Sequence, residues 1–250
     1  MVYVDSYPKT SKLVRSQFIV SFVALGIGAL FGIVQALHRT GVFRGFISSA
    51  DYYTILTGHG VLLALVFTTF FIAGLFGWAV TNTLEQELPQ RISWAAFWLM
   101  LFGTVLATVA ILGGVMGAPS LFGQDLSADV LFTFYAPMQA HPLFYVGAAL
   151  LIVGSWFAGL AYFKSLWAWR EDNPDERIPL QTFMVLTTML MWYISTIGVA
   201  VEVVALLIPW SLGLISQVDP LLTRTLFWYF GHPVVYFWLM PAYLVWYTIL

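Results

Sequence analysis

Cysteine is absent from the sequence. That excludes disulfides, iron–sulfur clusters and every thiolate metal site. Any metal or haem must therefore be held by histidine, methionine, tyrosine or carboxylate. Charge is the second scarcity. Only 9% of the residues are Asp, Glu, Lys or Arg, against about 25% in an ordinary soluble domain. Nothing resembles the basic surface that a nucleic acid requires, and a net charge of −2 says little about partners. Soluble domains, linkers and low-complexity tracts are missing too. No cleavable signal peptide is visible, because the first apolar run is of full span length and lacks an A-x-A-like exit.

What fills the space is apolar. Hydrophobic residues make up 60% of the chain and fall in long runs, which defines a polytopic, all-α membrane protein. Six spans are expected: residues 16–37, 54–81, 92–117, 143–169, 181–208 and 225–250. Charges and turn residues collect in the joins, and residues 1–15 form a short polar arm ending in Lys9, Lys12 and Arg15. The whole of 1–250 reads as one transmembrane domain. Lys9, Lys12, Arg15, Arg91, Lys164, Arg170 and Arg177 share one side of the membrane in this scheme, and Arg39, Arg44 and Arg224 the other. The bias puts the amino terminus in the cytoplasm and the arm with it. The sequence stops at Leu250 inside apolar sequence with no flanking charge, as a cut chain would.

The stretch with most chemistry is RTLFWYFGHPVVYFWLMPAYLVWYTIL, from Arg224 to Leu250. It is expected to cross the bilayer as one helix, entering from outside, with His232 about two turns deep. At about 100° per residue, Tyr236, Tyr243 and Tyr247 fall roughly 40°, 20° and 60° from His232, and Trp228 roughly 40° to the other side. One polar-aromatic stripe results. Imidazole suits copper and iron. A phenol one turn away can give an electron and a proton, and further phenols can pass protons where an ion would be costly. That is half of a redox site with the start of a proton path. The competing reading makes His232 a core histidine bonded to the carbonyl that Pro233 frees, with Tyr243 and Tyr247 packing or anchoring at the interface.

Other residues need the same weighing. His59, in LTGHGVLLALVF, is costly inside a span without a partner. Gly58 and Gly60 remove side chains where a flat macrocycle would approach, so haem ligation stands beside a hydrogen-bonded packing role. His141-Pro-Leu-Phe-Tyr145 repeats the H-P-x-x-Y pattern of His232 to Tyr236, so the pattern alone is weak. His141 is expected at the outer lip of the fourth span, hydrated, and His38 likewise at the outer edge of the first. Glu202 is the one carboxylate within a span. It is either functional or protonated and bonded to a neighbouring helix. Trp167, Trp169 and Trp210 fit interfacial belts.

At FWYFGHPVVYFWLMPAY the sequence resembles subunit I of the haem–copper oxidases. Over its whole length it is similar to their B-type (ba-class) branch, through FGIVQAL, LTGHGVLLALVF, LFTFYAPM, LIPWSLGL and VDPLLTRTLFWYFGHPVVYFWLMPAYLVWYTIL. The resemblance implies that His59, between Gly58 and Gly60, is an axial ligand of a low-spin haem b. It makes His232 one of three ligands of the copper CuB, and Tyr236 the tyrosine joined covalently to that imidazole. Trp228 then lies near the copper, and Tyr243 and Tyr247 belong to the proton-input route. Val234 stands where A-type oxidases carry a glutamate of a second proton route, and nitric oxide reductases lack the tyrosine.

The family's fold has about twelve spans, and six are present. The further histidines that would complete CuB, the low-spin haem and an a-type high-spin haem are not in this sequence. The chain thus resembles an amino-terminal half, inert alone. The implied partners are the remaining half of subunit I and a subunit II with an electron-receiving copper site. A periplasmic-side donor such as a cytochrome c or blue-copper protein, and membrane lipid, complete the set. The implied function is a prokaryotic plasma-membrane terminal oxidase reducing oxygen to water with proton translocation. Nitric oxide reduction on the same scaffold, or a non-redox six-helix transporter or channel, are the alternatives.

Overall fold

Five helical runs among the described residues are long and apolar enough to cross a bilayer. The structure is a computed structural model and describes residues 6–43, 45–113, 120–121, 124–126, 134 and 136–249. The runs are α1 (Pro8–Arg39), α2 (Ser49–Leu84), α3 (Gln90–Leu112), α4 (Pro142–Asp172) and α5 (Leu180–Ser211). A two-residue hairpin, β1 (Ser120–Leu121) with β2 (Gln124–Asp125), lies between α3 and α4. The expected Arg44, the end of the third span at 114–117, half of LFTFYAPM and Leu250 lie outside the described residues.

The expected single sixth helix is corrected. The chain makes two, α6 (Pro220–Gly231) and α7 (Pro233–Ile249), with a turn at His232 between them. Pro233 is the reason. It has no N–H to give the preceding turn, and its ring crowds the carbonyl four residues back. The ladder restarts with Val235 N–H donating to the His232 carbonyl at 3.1 Å. One face of α7, Val234, Phe237, Pro241 and Leu244, is buried. Phe237 stacks on Trp192 of α5 at 3.9 Å between ring centroids, so the opposite face of α7 points out of the bundle.

The first helix begins earlier than the apolar run, at Pro8, and takes the basic arm into its first turns. Tyr7 supplies no side-chain cap. Instead Glu87, from the α2–α3 turn, accepts from the backbone N–H groups of Lys9 (3.0 Å) and Thr10 (2.7 Å) and from the Thr10 hydroxyl. Leu88 N–H donates in turn to Thr10 Oγ1 at 3.0 Å. A carboxylate at a helix N-terminus satisfies orphan donors and meets the positive end of the dipole. Glu87→Ala should therefore cost about 1–2 kcal/mol, seen as a lowered thermal midpoint, with Glu87→Gln between the two.

Two helices widen to π geometry, α2 over Val61–Phe67 and α5 over Glu202–Leu207. The second precedes Pro209, whose missing N–H a widened turn tolerates. The first begins two residues after His59, and π-bulges often sit at functional positions. The closest pairing is α3 with α4. A Cβ built on Gly103 would stand 2.5 Å from the Gly147 carbonyl oxygen, and one on Gly154 would stand 2.8 Å from the Met100 nitrogen. Small residues let helix backbones meet in this way inside lipid. Aromatic hydrogen bonds tie α4 to α5: Trp192 Nε1–H donates to Ser155 Oγ (2.8 Å) and the Tyr193 hydroxyl to the Trp156 carbonyl (2.7 Å).

Candidate functional site

His59 rides on α2 and faces two glycines of α1. Its Nδ1 is 2.8 Å from the Gly28 carbonyl oxygen, so the ring nitrogen carrying the proton is Nδ1, donating to that carbonyl. The lone pair is thereby assigned to Nε2. A Cβ on Gly32 would come within 2.9 Å of His59 Cε1, and one on Gly58 within 2.8 Å of the Phe31 ring. Imidazole, Gly28 and Gly32 thus form one groove. A metal-binding histidine is commonly held this way, its second nitrogen tied to a backbone carbonyl that fixes tautomer and ring orientation. The half-buried ring of His59 fits a haem ligand on this ground. Nothing in the sequence singles out Gly28 or Gly32 as its partners. Their four-residue spacing was the available signal, and it reads equally as ordinary helix packing.

His232 sits in the turn between α6 and α7, exposed. Its ring centroid lies 4.9 Å from that of Tyr236, with the planes at 64°. Trp228, Tyr236, Tyr243 and Tyr247 are all exposed on the same side, between 36% and 59%. The stripe expected from helical periodicity survives the break at His232. Tyr243 packs edge-on against Trp246 at 5.3 Å. Among the described residues no carbonyl meets the exposed His232 ring, so the alternative of a satisfied core histidine does not form there. A gap of about 160 Å³, bordered by Gly60 of α2 and by Trp228, Gly231, Val234 and Trp238, separates the two histidine-bearing elements. Among the described residues no three His, Asp or Glu side chains converge. His232 is thus one donor, and a copper ion would need further ligands from beyond these residues.

Two expectations are corrected in detail, and Glu202 is placed. His141 is not hydrated. It is only 4% exposed and caps α4, its Nδ1 accepting from Leu143 N–H at 3.2 Å and its Nε2 3.1 Å from the Leu121 carbonyl. Tyr145 completes that motif by accepting from Ala140 N–H at 3.0 Å. The two H-P-x-x-Y sequences therefore differ in kind, one a structural clamp and the other an open pair. His38 is half-buried rather than fully solvated, its ring 5.0 Å from that of Tyr52. Glu202 is fully buried in the π segment of α5, and neither carboxyl oxygen has a hydrogen-bond partner among the described residues. Of the two alternatives for Glu202, the bond to a neighbouring helix is not made among the described residues.

The fold defines a multi-pass helical membrane protein. The family model described as "Cytochrome C and Quinol oxidase polypeptide I" matches residues 12–250. The chain is 37% identical to cytochrome c oxidase subunit 1 of Thermus thermophilus, covering 98% of this chain and 42% of that one. It is 28% identical to a probable cytochrome c oxidase subunit 1-alpha of Streptomyces coelicolor, over 88% of this chain and 38% of that one. A solved haem–copper terminal oxidase dimer superimposes with TM-score 0.84 at 37% identity, covering 94% of this chain and 39% of that chain. This chain belongs to the haem–copper oxidase subunit I family. It spans about two fifths of the length of these relatives.

Proposed function

We propose that this chain is the amino-terminal part of a B-type haem–copper oxidase subunit I, which as a whole reduces oxygen to water and moves protons across a prokaryotic plasma membrane. The observation that carries the reading is the His232–Tyr236 pair, 4.9 Å apart on an exposed face. A bare imidazole–phenol pair in a membrane helix is expensive, and the remaining half of subunit I is what would cover it. In this reading α6 and α7 together make the sixth crossing, since the roughly 30 residues from Pro220 to Ile249 reach about 45 Å. The amino terminus is cytoplasmic, on the Lys and Arg bias. Subunit II and a periplasmic electron donor would complete the assembly.

Haem iron and copper, when bound, supply the electron transfer and the oxygen chemistry. This chain's residues do the rest. His59 Nε2 would hold a low-spin haem b, and the Gly28 carbonyl keeps the proton on Nδ1 and fixes the ring's orientation. Gly60 borders the gap toward α6 and keeps that flank clear, whereas the Phe31 ring fills the space over Gly58. His232 would give one nitrogen to CuB, and the complementary half would supply its other ligands and those of an a-type high-spin haem. Tyr236 presents a phenolic proton beside that imidazole, and Trp228 closes the other side. Tyr247 and Tyr243 carry protons toward Tyr236 on the shared face. Val234 is buried and cannot ionise, so the tyrosine face bears the whole input.

The test uses the full-length oxidase. Oxygen should be consumed with water as product, and His232→Ala should remove copper from the purified protein while the low-spin haem stays. Nitrous oxide formed from nitric oxide as the main product, without oxygen reduction, would instead assign the chain to the nitric oxide reductase class.

A further inference from the structure

A cavity of about 320 Å³ lies between α1, α2 and α3, away from the His232 face. It is a groove and not a sealed void, and its volume equals roughly ten waters at ~30 Å³ each, so in a bilayer something must fill it. Its lining is apolar. The hydroxyls it contains are turned back to their own helix, Thr104 donating to the Met100 carbonyl (2.9 Å) and Thr108 to the Thr104 carbonyl (2.8 Å). Water would find no partner there, and a polar headgroup none either. The cavity is closed toward His59 by Phe31, whose ring lies over Gly58. It borders Ile19, Val23 and Ile27, the exposed face of α1, so it opens to the bilayer.

What the same face carries next decides the occupant. Arg15 is one turn before Ile19, and Lys12 one turn before Arg15, both exposed. At 100° per residue Lys12, Arg15 and Ile19 fall on one side of α1. Two cations therefore stand about 6 Å and 10 Å along the helix from the start of the apolar slot. On α3, Trp98 is exposed one turn before the cavity residue Leu101, where an amphipathic ring favours the headgroup level. We propose that this is a binding site for one anionic phospholipid, with its phosphate at Lys12 and Arg15 and one acyl chain laid in the cavity. A chain of about ten carbons, each near the size of a water, fills it.

The experiment is native mass spectrometry of the full-length oxidase in mild detergent, titrated with phosphatidylglycerol or with phosphatidylcholine of identical acyl chains. One phosphatidylglycerol is expected to be retained, with a preference over phosphatidylcholine of roughly thirty-fold from two basic side chains. Lys12→Gln with Arg15→Gln should erase that preference and leave weak, headgroup-blind binding. Thr104→Phe, which fills the slot, should abolish retention of both lipids. Equal retention of the two lipids by the unaltered protein overturns the proposal, as does undiminished retention by Thr104→Phe. Should that variant fail to fold, the unaltered protein with phosphatidylglycerol brominated in mid-chain decides by cryo-EM. Bromine density in the cavity supports the site, and its absence there overturns it.

Discussion

Gly32→Leu is expected to strip the low-spin haem from the full-length protein nearly as completely as His59→Ala. The two act on the same imidazole from opposite ends. His59→Ala removes the proposed axial nitrogen itself. Gly32→Leu leaves the nitrogen but takes the space of the ring, because a Cβ alone would stand 2.9 Å from Cε1 and 3.2 Å from Nδ1. No atom of a real side chain tolerates that approach, and the leucine branch extends further. The ring must swing away, and with it goes the 2.8 Å contact to the Gly28 carbonyl that fixes the tautomer. Loss of such a supporting bond typically weakens binding ten- to hundred-fold, so Gly32→Ala should fall between wild type and Gly32→Leu. The readout is the low-spin haem band in the optical spectrum of the purified protein. Gly26→Leu is the control, since nothing lies within 4 Å of its Cβ position. An intact band in His59→Ala would remove His59 from the ligand set.

Gly147→Leu should be the most damaging single change to the fold. Its Cβ would meet the Gly103 carbonyl oxygen at 2.6 Å and the Ala107 nitrogen at 2.7 Å. These are backbone atoms of α3, which no rotamer change can move. Ordinary overpacking costs about 1–3 kcal/mol by shifting side chains. Here two helices must separate, and Gly103, Ala107, Gly147 and Gly154 lose their fit together. Against a total stability on the order of 5–15 kcal/mol, the expected result is loss of accumulated protein in membranes. What is recovered should melt well below wild type. The comparison that isolates the cause is Gly26→Leu, on a helix face with room to spare, which should accumulate normally. Equal accumulation of the two variants would mean that α3 and α4 do not pack as described.

The membrane class and the long helices were legible in composition alone, because a run of some twenty apolar residues has one way to satisfy its backbone in lipid. The stripe of Trp228, Tyr236, Tyr243 and Tyr247 beside His232 was legible too. Helical periodicity is a local property, and it holds on both sides of the turn that Pro233 makes. Tertiary contacts decided what the spacing could not. Two identical H-P-x-x-Y patterns became different objects because β1 brings the Leu121 carbonyl to His141, whereas among the described residues the His232 ring meets only its own Tyr236. Likewise the single proton of the His59 ring was placed by a carbonyl 31 positions away in sequence, and the start of α1 by a carboxylate 77 positions away from Thr10. The sequence by itself therefore determined which segments enter the membrane and which residues share a helix face, since both follow from neighbours within a few turns. Which histidine is clamped and which is open, and which glycines make room for them, was decided only when helices distant in the chain came into contact. Hydrogen bonds and excluded volume between such helices leave no periodic trace in either one.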